Sequence, residues 1–323
     1  MKSRIQYMTN PLFLTLAFLF LTITGSVAQE VKKDSTGLVV AQEVEKDTQE
    51  EVKVKKEKEK KDTRPIKSTF ESAWLIDNQS VMVPIKGTLE FDILHRFGVW
   101  KNGYDDLYGL FAPANIRMGF SYSILDNLGV GFGFTKSNLI WDLNVKYALL
   151  KQSRSGNIPI SITYFGNIAI DSRDKSNFLN GTDRLSYFHQ LILARKVTPN
   201  LSVQVAPSLS HFNAVEAFLN SEGEIEPLMK NDHFAISAGG RYKLSSTMAL
   251  IANYDQPITV HKSKNPQPNI SLGIEMTTSS HAFQIFVGNY SFLTPQRNNV
   301  FNQNDYRDNQ FLIGFNITRL WNL

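Results

Sequence analysis

Residues 115–124 read NIRMGFSYSI, and apolar side chains alternate in this stretch with small or polar ones. The apolar set is Ile116, Met118, Phe120, Tyr122 and Ile124. Successive side chains of a β-strand leave opposite faces of the sheet. A period of two therefore predicts a strand with one apolar and one polar face.

The same alternation recurs in about twelve runs between residue 86 and the C-terminus. The runs are 86–97, 114–125, 128–135, 138–150, 158–169, 185–196, 200–211, 233–243, 247–255, 268–277, 281–290 and 310–321. Most are close to ten residues long, which is the length that a tilted strand needs to cross a bilayer. No long stretch of helical period lies among them.

The connections between the runs alternate in length. Short turns follow the second, sixth, eighth and tenth runs, a link of seven residues follows the fourth, and long loops follow the first, fifth, seventh, ninth and eleventh. Only the connection after the third run departs from this parity, because it is short on the side where a long loop is expected. Barrels of the bacterial outer membrane have an even number of antiparallel strands, short periplasmic turns and long outer loops. The sequence therefore predicts an all-β fold, a closed antiparallel transmembrane β-barrel of about 12 strands over residues 86–323, with both termini in the periplasm.

The alternative is a large soluble sandwich, because alternation also fits a sheet with one buried face. A sandwich does not require loop lengths that alternate by parity. Aromatic residues also gather at the ends of the runs, where a membrane barrel has its interfacial girdles. They are Phe97, Trp100, Tyr147, Tyr187, Tyr254, Tyr290 and Trp321.

The N-terminus has the order of a secretory signal peptide. Lys2 and Arg4 are followed by an apolar stretch at residues 11–24 and by the small residues of 25–28. We therefore expect residues 1–28 to be removed on export. The alternative, a retained membrane anchor, would need roughly 20 apolar residues.

Residues 29–67 form a charged tract with eleven Lys or Arg, ten Asp or Glu and no aromatic residue. Such a segment cannot bury enough apolar surface to offset the entropy of ordering. We expect a charged disordered periplasmic arm, which serves either as a solvated spacer or as a binding arm for a partner.

The chain of 323 residues carries a net charge of +4 and no cysteine. The lack of cysteine excludes disulfides, thiolate metal ligands and cysteine catalysis. Residues 68–323 are close to neutral, so no basic patch indicates nucleic acid. The expected partners are outer-membrane lipid and envelope proteins that contact the arm or the outer loops.

Residues 68–85 precede the first run and are too apolar for a plain linker. They include Trp74, Leu75 and Ile76, as well as Val81 and Val83. We expect this segment either to fold against the periplasmic mouth of the barrel or to enter the lumen as a small plug.

If the apolar faces meet lipid, the opposite faces line the lumen and carry balanced charges. The inward ionisable residues are Glu90, Asp92, Arg96, Arg117, Asp142, Lys146, Arg241, Lys243, Asp255 and Glu275. An Arg or Lys facing lipid near the midplane would cost about 2–4 kcal/mol, which favours the inward register. These charges either fill the interior as salt bridges or line a narrow polar passage.

No pattern indicates an enzyme or a cofactor site. The six histidines are scattered, no Gly-x-Ser-x-Gly motif occurs, and no cluster has the spacing of metal ligands. We therefore predict no catalytic residue, no metal and no cofactor. A lone histidine near the membrane rim, such as His95 or His211, is usually a girdle or hydrogen-bonding residue.

Three stretches look like the opening of an uncharacterised outer-membrane barrel family. They are FESAWLIDNQS at 70–80, GTLEFDILHRFG at 87–98 and DLYGL at 106–110. The likeness continues at Lys146-Tyr147, at residues 149–152 and around His211, and it covers about residues 68–323. This family of unknown function is common in Bacteroidota-type bacteria, and the resemblance implies an outer-membrane barrel without naming a mechanism.

The leading functional hypothesis is a narrow porin-like channel for small solutes. A barrel of about twelve strands lies between eight-stranded barrels, which side chains fill, and open porins of 16–18 strands. The alternative is a structural or assembly-partner barrel of an envelope complex without transport activity.

Overall fold

The computed structural model describes residue 62 and residues 64–323. The predicted signal peptide and residues 29–61 and 63 of the predicted arm lie outside the described residues. No helix in the described part of the chain is long and apolar enough to cross a membrane.

The described residues form sixteen strands and one short α-helix. In chain order these are β1 (Trp74–Leu75), β2 (Asn78–Gln79), β3 (Thr88–Val99), β4 (Asn115–Leu125), β5 (Leu128–Thr135), β6 (Ile140–Leu150), β7 (Ser161–Asp171), β8 (Leu185–Lys196), β9 (Leu201–Phe212), β10 (Ala217–Leu219), β11 (Ile225–Pro227), β12 (Asp232–Lys243), β13 (Met248–Pro257), β14 (Asn269–Thr277), β15 (His281–Gly288), α1 (Pro295–Phe301) and β16 (Leu312–Asn322).

Twelve of these strands, β3 to β9 and β12 to β16, close into one antiparallel barrel. Each strand pairs with its neighbour in this series, and β16 pairs with β3 to close the ring. The predicted all-β fold, a closed antiparallel barrel of about 12 strands, is thereby confirmed. Each of the twelve predicted runs corresponds to one barrel strand, with ends shifted by a few residues.

The side chains of the wall alternate as the sequence predicts. On β6, Trp141 and Leu143 are exposed on the outside, whereas Asp142 between them is buried inside. The same alternation holds around the ring, so an apolar outer surface encloses an inner face that is mostly polar and includes an apolar patch.

The connections define two different ends of the barrel. At the turn end lie the connections 126–127, 151–160, 197–200, 244–247 and 278–280, all of them short except 151–160, together with both ends of the barrel sequence. At the loop end lie the connections 100–114, 136–139, 172–184, 213–231, 258–268 and 289–311, which include the β10–β11 hairpin. Residues 64–66 lie at the turn end, where the Ile66 amide donates to the Gln152 carbonyl over 2.9 Å.

Residues 68–85, called the plug from here on, lie inside the barrel. Their centre is the hairpin β1–β2, in which Trp74 pairs with Gln79 and Leu75 pairs with Asn78. The turn residue Ile76 has a φ of 62°. A left-handed backbone is unfavourable for a β-branched residue, so the surroundings must hold this turn in place.

Residues 289–311, called the inner loop, also enter the barrel, in contrast to the long outer loop that the sequence predicts there. The barrel strand β15 ends at Gly288, and Asn289 and Tyr290 are fully buried inside. Tyr290 is thus not an interfacial girdle residue, as its position at the end of a run had indicated. Four residues of α1 are buried, namely Gln296, Asn298, Asn299 and Val300.

Candidate functional site

The interior of the barrel holds the candidate site, and the structure places all ten predicted lumen residues at inward positions of the wall. Nine of them are buried, namely Glu90, Asp92, Arg96, Arg117, Asp142, Lys146, Arg241, Asp255 and Glu275. Lys243 is half-buried because it is the last residue of β12. The ten residues do not form one cluster, and they separate into ion pairs and plug contacts.

Arg117 on β4 is the centre of the largest charge cluster. Its Nη1 donates to Asp92 on β3 over 2.7 Å, while Nε and Nη2 both donate to Asp142 on β6 over 2.9 Å. Asn167 on β7 also donates to Asp142, over 3.0 Å. Two carboxylates thus hold one guanidinium in a planar geometry that only arginine offers.

Two glycines make this cluster possible. Asp92, Gly119, Gly133 and Asp142 are directly paired across four neighbouring strands, so the glycines lie between the two carboxylates. A Cβ at Gly133 would stand 2.2 Å from Arg117 Nη2, and one at Gly119 would stand 2.5 Å from an Asp92 oxygen. The guanidinium therefore occupies space that any other residue would fill.

A second ion pair lies on the opposite part of the wall. Arg241 Nε donates to Glu275 over 2.6 Å, and Gln284 Nε2 donates to the second Glu275 oxygen over 2.9 Å. Gln284 also donates to the Trp74 carbonyl of the plug over 2.8 Å. The wall charges thus connect directly to the plug.

Polar side chains from six strands of the wall hold the plug. The contacts are Lys146 Nζ to the Ala73 carbonyl (3.2 Å) and to Gln79 Oε1 (2.9 Å), Thr163 Oγ1 to the Val81 carbonyl (2.9 Å), Gln204 Nε2 to the Gln79 carbonyl (2.9 Å), Gln190 Nε2 to Asn78 Oδ1 (3.2 Å), Asn78 Nδ2 to Asp255 Oδ1 (2.7 Å) and Ile76 N to Gln284 Oε1 (3.1 Å). Four of these seven contacts are to backbone groups of the plug, which need partners because they are buried.

Asn316 on β16 holds the strained turn. Its Nδ2 donates to the Ile76 carbonyl and to Gln284 Oε1, and its Oδ1 accepts from Arg96 Nη1 over 2.9 Å. Gln284 in turn accepts from the Ile76 amide. Both backbone groups of the left-handed residue are therefore bound by the wall.

An apolar cluster crosses the interior and joins opposite sides of the barrel. The plug contributes Phe70, Leu75, Ile76 and Val81, and the wall contributes Phe165, Phe188, Ile192, Ala194, Ala206, Ile251 and Phe286, with Tyr290 from the inner loop. In this state side chains fill the middle of the barrel.

The plug and the inner loop meet at Asp77. Its carboxylate accepts from Asn253 Nδ2 over 3.1 Å and from Asn298 Nδ2 of α1. Burial raises the pKa of the Asp77 carboxyl above its ordinary value, although the nearby Arg96 acts in the opposite direction. Arg96 is fully buried, and its guanidinium carbon lies 4.5 Å from the centre of the Phe286 ring.

Amide side chains hold the inner loop against the wall. Gln296 donates to Asn167 over 3.0 Å, Asn299 donates to Ser208 over 3.3 Å, and Asn302 donates to Asn269 over 2.8 Å. Sequence reasoning missed the glutamines and asparagines that hold the plug and the inner loop, because it considered ionisable groups alone. Their inward positions in the alternation could have identified the wall members.

The histidines occupy several environments. The His95 ring stacks on Phe315 with the ring centres 4.7 Å apart, and His211 Nδ1 lies 2.7 Å from Asp232. At the loop end, His233 Nδ1 lies 3.0 Å from His261 Nε2. Burial, followed by the charge of Lys230, lowers the pKa of His261.

One serine–histidine contact was missed by sequence reasoning. Ser280 Oγ lies 3.1 Å from His281 Nδ1 in the turn before β15. Among the described residues, no carboxylate is hydrogen-bonded to this ring, so the pair lacks the third group that orients a catalytic histidine. Within residues 64–323, no group of three or more His, Asp or Glu is placed to hold a metal ion.

The fold and the apolar outer face define a membrane-bound β-barrel whose interior is occupied. The model of the family described as a membrane-bound beta barrel domain, DUF5777, matches residues 70–321. The chain belongs to this family, which confirms the resemblance drawn from the sequence. The Bacteroidota-type origin stays a prediction.

No curated protein matches the sequence. Solved structures with a similar barrel include the NanC porin, with 10% identity, a TM-score of 0.44 and coverage of 73% of this chain and 99% of that one. An outer-membrane channel from Pseudomonas putida F1 has 11% identity and a TM-score of 0.43, with coverage of 74% and 97%. The KdgM porin has 10% identity and a TM-score of 0.40, with coverage of 72% and 98%.

Proposed function

We propose that the protein is a gated, porin-like channel for small solutes in the outer membrane of a Gram-negative bacterium. In the closed state the plug and the inner loop occupy the lumen. Solutes pass when these two segments move aside. The lengths of the connections support an orientation with the turn end and both termini in the periplasm and the loop end outside.

The observation that carries this proposal is the set of buried polar side chains on the wall behind the plug, beside the seven apolar wall residues of the central cluster. Small hydroxyl side chains line the wall, namely Thr163, Ser186, Ser202, Ser208, Ser237 and Ser271. Water can hydrate such a wall once the plug has left, whereas a barrel that is permanently filled could have an apolar interior. Porin lumens are polar for the same reason, and loops or helices plug other barrels.

The charges of the wall favour passage of small solutes without strong ion selectivity. Arg117 is bound by two aspartates and Arg241 by one glutamate, so both signs lie close together in the lumen. Ion-selective channels instead carry a ring of charges of one sign, without partners of the other sign beside them.

Single-channel recording in planar bilayers tests the proposal. The full mature chain should show rare or small openings, and a variant without residues 68–85 should show larger and longer ones. A variant that lacks residues 29–61 but keeps the plug is the matched control and should behave like the full chain. A difference in gel mobility between heated and unheated samples verifies that each variant has folded.

The inner loop could keep the lumen closed when the plug is absent. A second variant therefore lacks residues 68–85 and carries Gly and Ser in place of residues 295–301. If this folded variant is also silent, the channel proposal is wrong.

A specific observation also favours the second candidate, a structural or assembly-partner barrel of an envelope complex. The loop end exposes large apolar side chains, with Tyr104 and Phe111 each 81% exposed. Such residues are typical of a surface that contacts another molecule. In this case the protein is electrically silent and co-purifies with envelope proteins bound to the outer loops or to the N-terminal arm.

We assign no catalytic role to the barrel. The Ser280–His281 pair is the arrangement that comes closest to one, and it has no orienting acid among residues 64–323. Lipid hydrolysis by the purified protein that disappears in a His281→Gln variant would overturn this assignment.

A further inference from the structure

A cavity of about 270 Å³ opens at the turn end, between the plug and the wall formed by β3, β14, β15 and β16. Neither the ion pairs nor the contacts that hold the plug occupy it. Its lining includes Glu90 and Thr318 from the wall and Met82 from the plug. We propose that this cavity is a binding site for a small organic cation, a primary ammonium on a short carbon chain.

Glu90 is the group that selects the cation. Its side chain is buried, with 4% of the residue exposed, and among residues 64–323 its carboxylate has no hydrogen bond and no salt bridge. A buried carboxylate without a partner is costly, so a ligand that brings a positive donor is favoured there.

The charged neighbours of Glu90 are already engaged. Asp92 is bound by Arg117, and Lys146 donates to the Ala73 carbonyl and to Gln79 Oε1 of the plug. The two bases and three acids of this part of the wall, Glu90, Asp92, Asp142, Arg117 and Lys146, leave one negative charge. The group therefore carries one negative charge in excess, and within residues 64–323 Glu90 is its one carboxylate without a hydrogen bond, so a monocation in the cavity would balance this charge there.

At the exposed rim of the cavity Lys67 and Glu71 carry opposite charges, and the rest of the lining fits a short aliphatic amine. Thr318 is 4% exposed and has no hydrogen-bond partner in the described part of the chain, so its hydroxyl can accept from a second ammonium hydrogen. Met82, Ala282 and Leu320 give the cavity an apolar side for a carbon chain. At about 30 Å³ for each water, the space corresponds to roughly nine water molecules.

Binding to the full mature chain in a maltoside detergent tests this proposal without any conductance measurement, so it can fail or succeed independently of the channel. Saturation-transfer difference NMR compares ethanolamine with ethylene glycol, its neutral counterpart, and with glycolate, its anionic counterpart. We expect millimolar binding of ethanolamine, binding of the glycol that is about tenfold weaker, and no binding of glycolate.

A Glu90→Gln variant, which keeps the shape and removes the charge, should weaken ethanolamine binding about tenfold or more. The matched control is Glu71→Gln, because Glu71 lines the same cavity at its exposed rim. This control should change binding by no more than about twofold, since exposed charges contribute little.

If Glu90→Gln does not fold, Ala282→Leu provides the test, because it fills the cavity and leaves the carboxylate intact. Its binding of ethanolamine should also be lost. Equal binding of ethanolamine and ethylene glycol would overturn the proposal, and so would unchanged binding in folded Glu90→Gln or Ala282→Leu protein.

Discussion

At the scale of single residues, the glycines of the wall are as important as its charges. Arg117 reaches Asp142 across β5 only because Gly133 leaves a gap in front of that strand. The guanidinium is held by carboxylates on both sides and cannot move away to admit a methyl group. Glycine at this position weakens the strand, but it leaves the space that the charge cluster needs.

A Gly133→Ala variant should destabilise the barrel by about 1–3 kcal/mol, the usual cost of overpacking. Unfolding of the detergent-solubilised protein by guanidinium chloride, monitored by gel mobility, measures this change. Gly129→Ala is the matched control on the same strand and face, because its new Cβ would meet no atom closer than 3.8 Å. Similar losses in both variants would show that the gap is not needed by Arg117.

The sequence predicted that Asp92, Arg117 and Asp142 face inward, but it did not predict that they meet. The period of two assigns a face to each side chain and leaves the register between strands open. A shift of two residues would keep every face and change every partner. The cluster therefore became visible only with the pairing of Asp92, Gly119, Gly133 and Asp142.

At the scale of elements, the plug is a hairpin that the wall completes. Two strands of two residues each cannot be stable alone, and the left-handed Ile76 adds about 1–3 kcal/mol of strain. Asn316 and Gln284 bind both backbone groups of this turn. The hairpin geometry is thus a property of the barrel wall as much as of the plug sequence.

An Asn316→Leu variant should loosen the plug while the barrel stays folded. The substitution leaves the Ile76 carbonyl and one Arg96 donor without their partner, at roughly 1–3 kcal/mol for each group. Hydrogen exchange of the plug amides should therefore become at least about tenfold faster.

The matched control for this exchange experiment is Asn144→Leu on β6. Asn144 also faces the interior, but within the described residues it makes no hydrogen bond to the plug. Its plug amides should exchange at the rate of the unmodified protein. An Asn316→Leu variant with the same slow exchange would show that packing alone holds the plug.

The two segments in the lumen differ in how far the sequence could predict them. The apolar residues Trp74, Leu75 and Ile76 indicated a plug or a mouth segment. The inner loop is rich in Asn and Gln and has the composition of an exposed loop. A loop of this composition is normally exposed to solvent, but inside this lumen it can be buried. Gln296 and Asn299 form hydrogen bonds with polar wall residues that an apolar loop would leave unpaired.

At the scale of the whole molecule, the alternation and the parity of loop lengths were sufficient for the barrel. Every strand must show the same side to the outside, and closure leaves no free edge, so twelve local patterns lead to one architecture. The sequence patterns contained no comparable constraint on the interior, where single contacts decide the arrangement.

The proposed orientation of the barrel predicts which connections antibodies can reach on intact cells. A short epitope inserted between Ser221 and Glu222, at the exposed tip of the β10–β11 hairpin, lies at the loop end and should be labelled without permeabilisation. The same epitope inserted after Gly156, in an exposed turn at the turn end, should be labelled only after the outer membrane has been opened. Because an even number of strands returns the chain to its starting side, the first and the last residue of the barrel sequence lie on the same side of the membrane. The insertion after Gly156 reports which side this is. Labelling of Gly156 insertions on intact cells, with Ser221 insertions protected, would reverse the orientation and place the plug and the Glu90 cavity at the cell exterior.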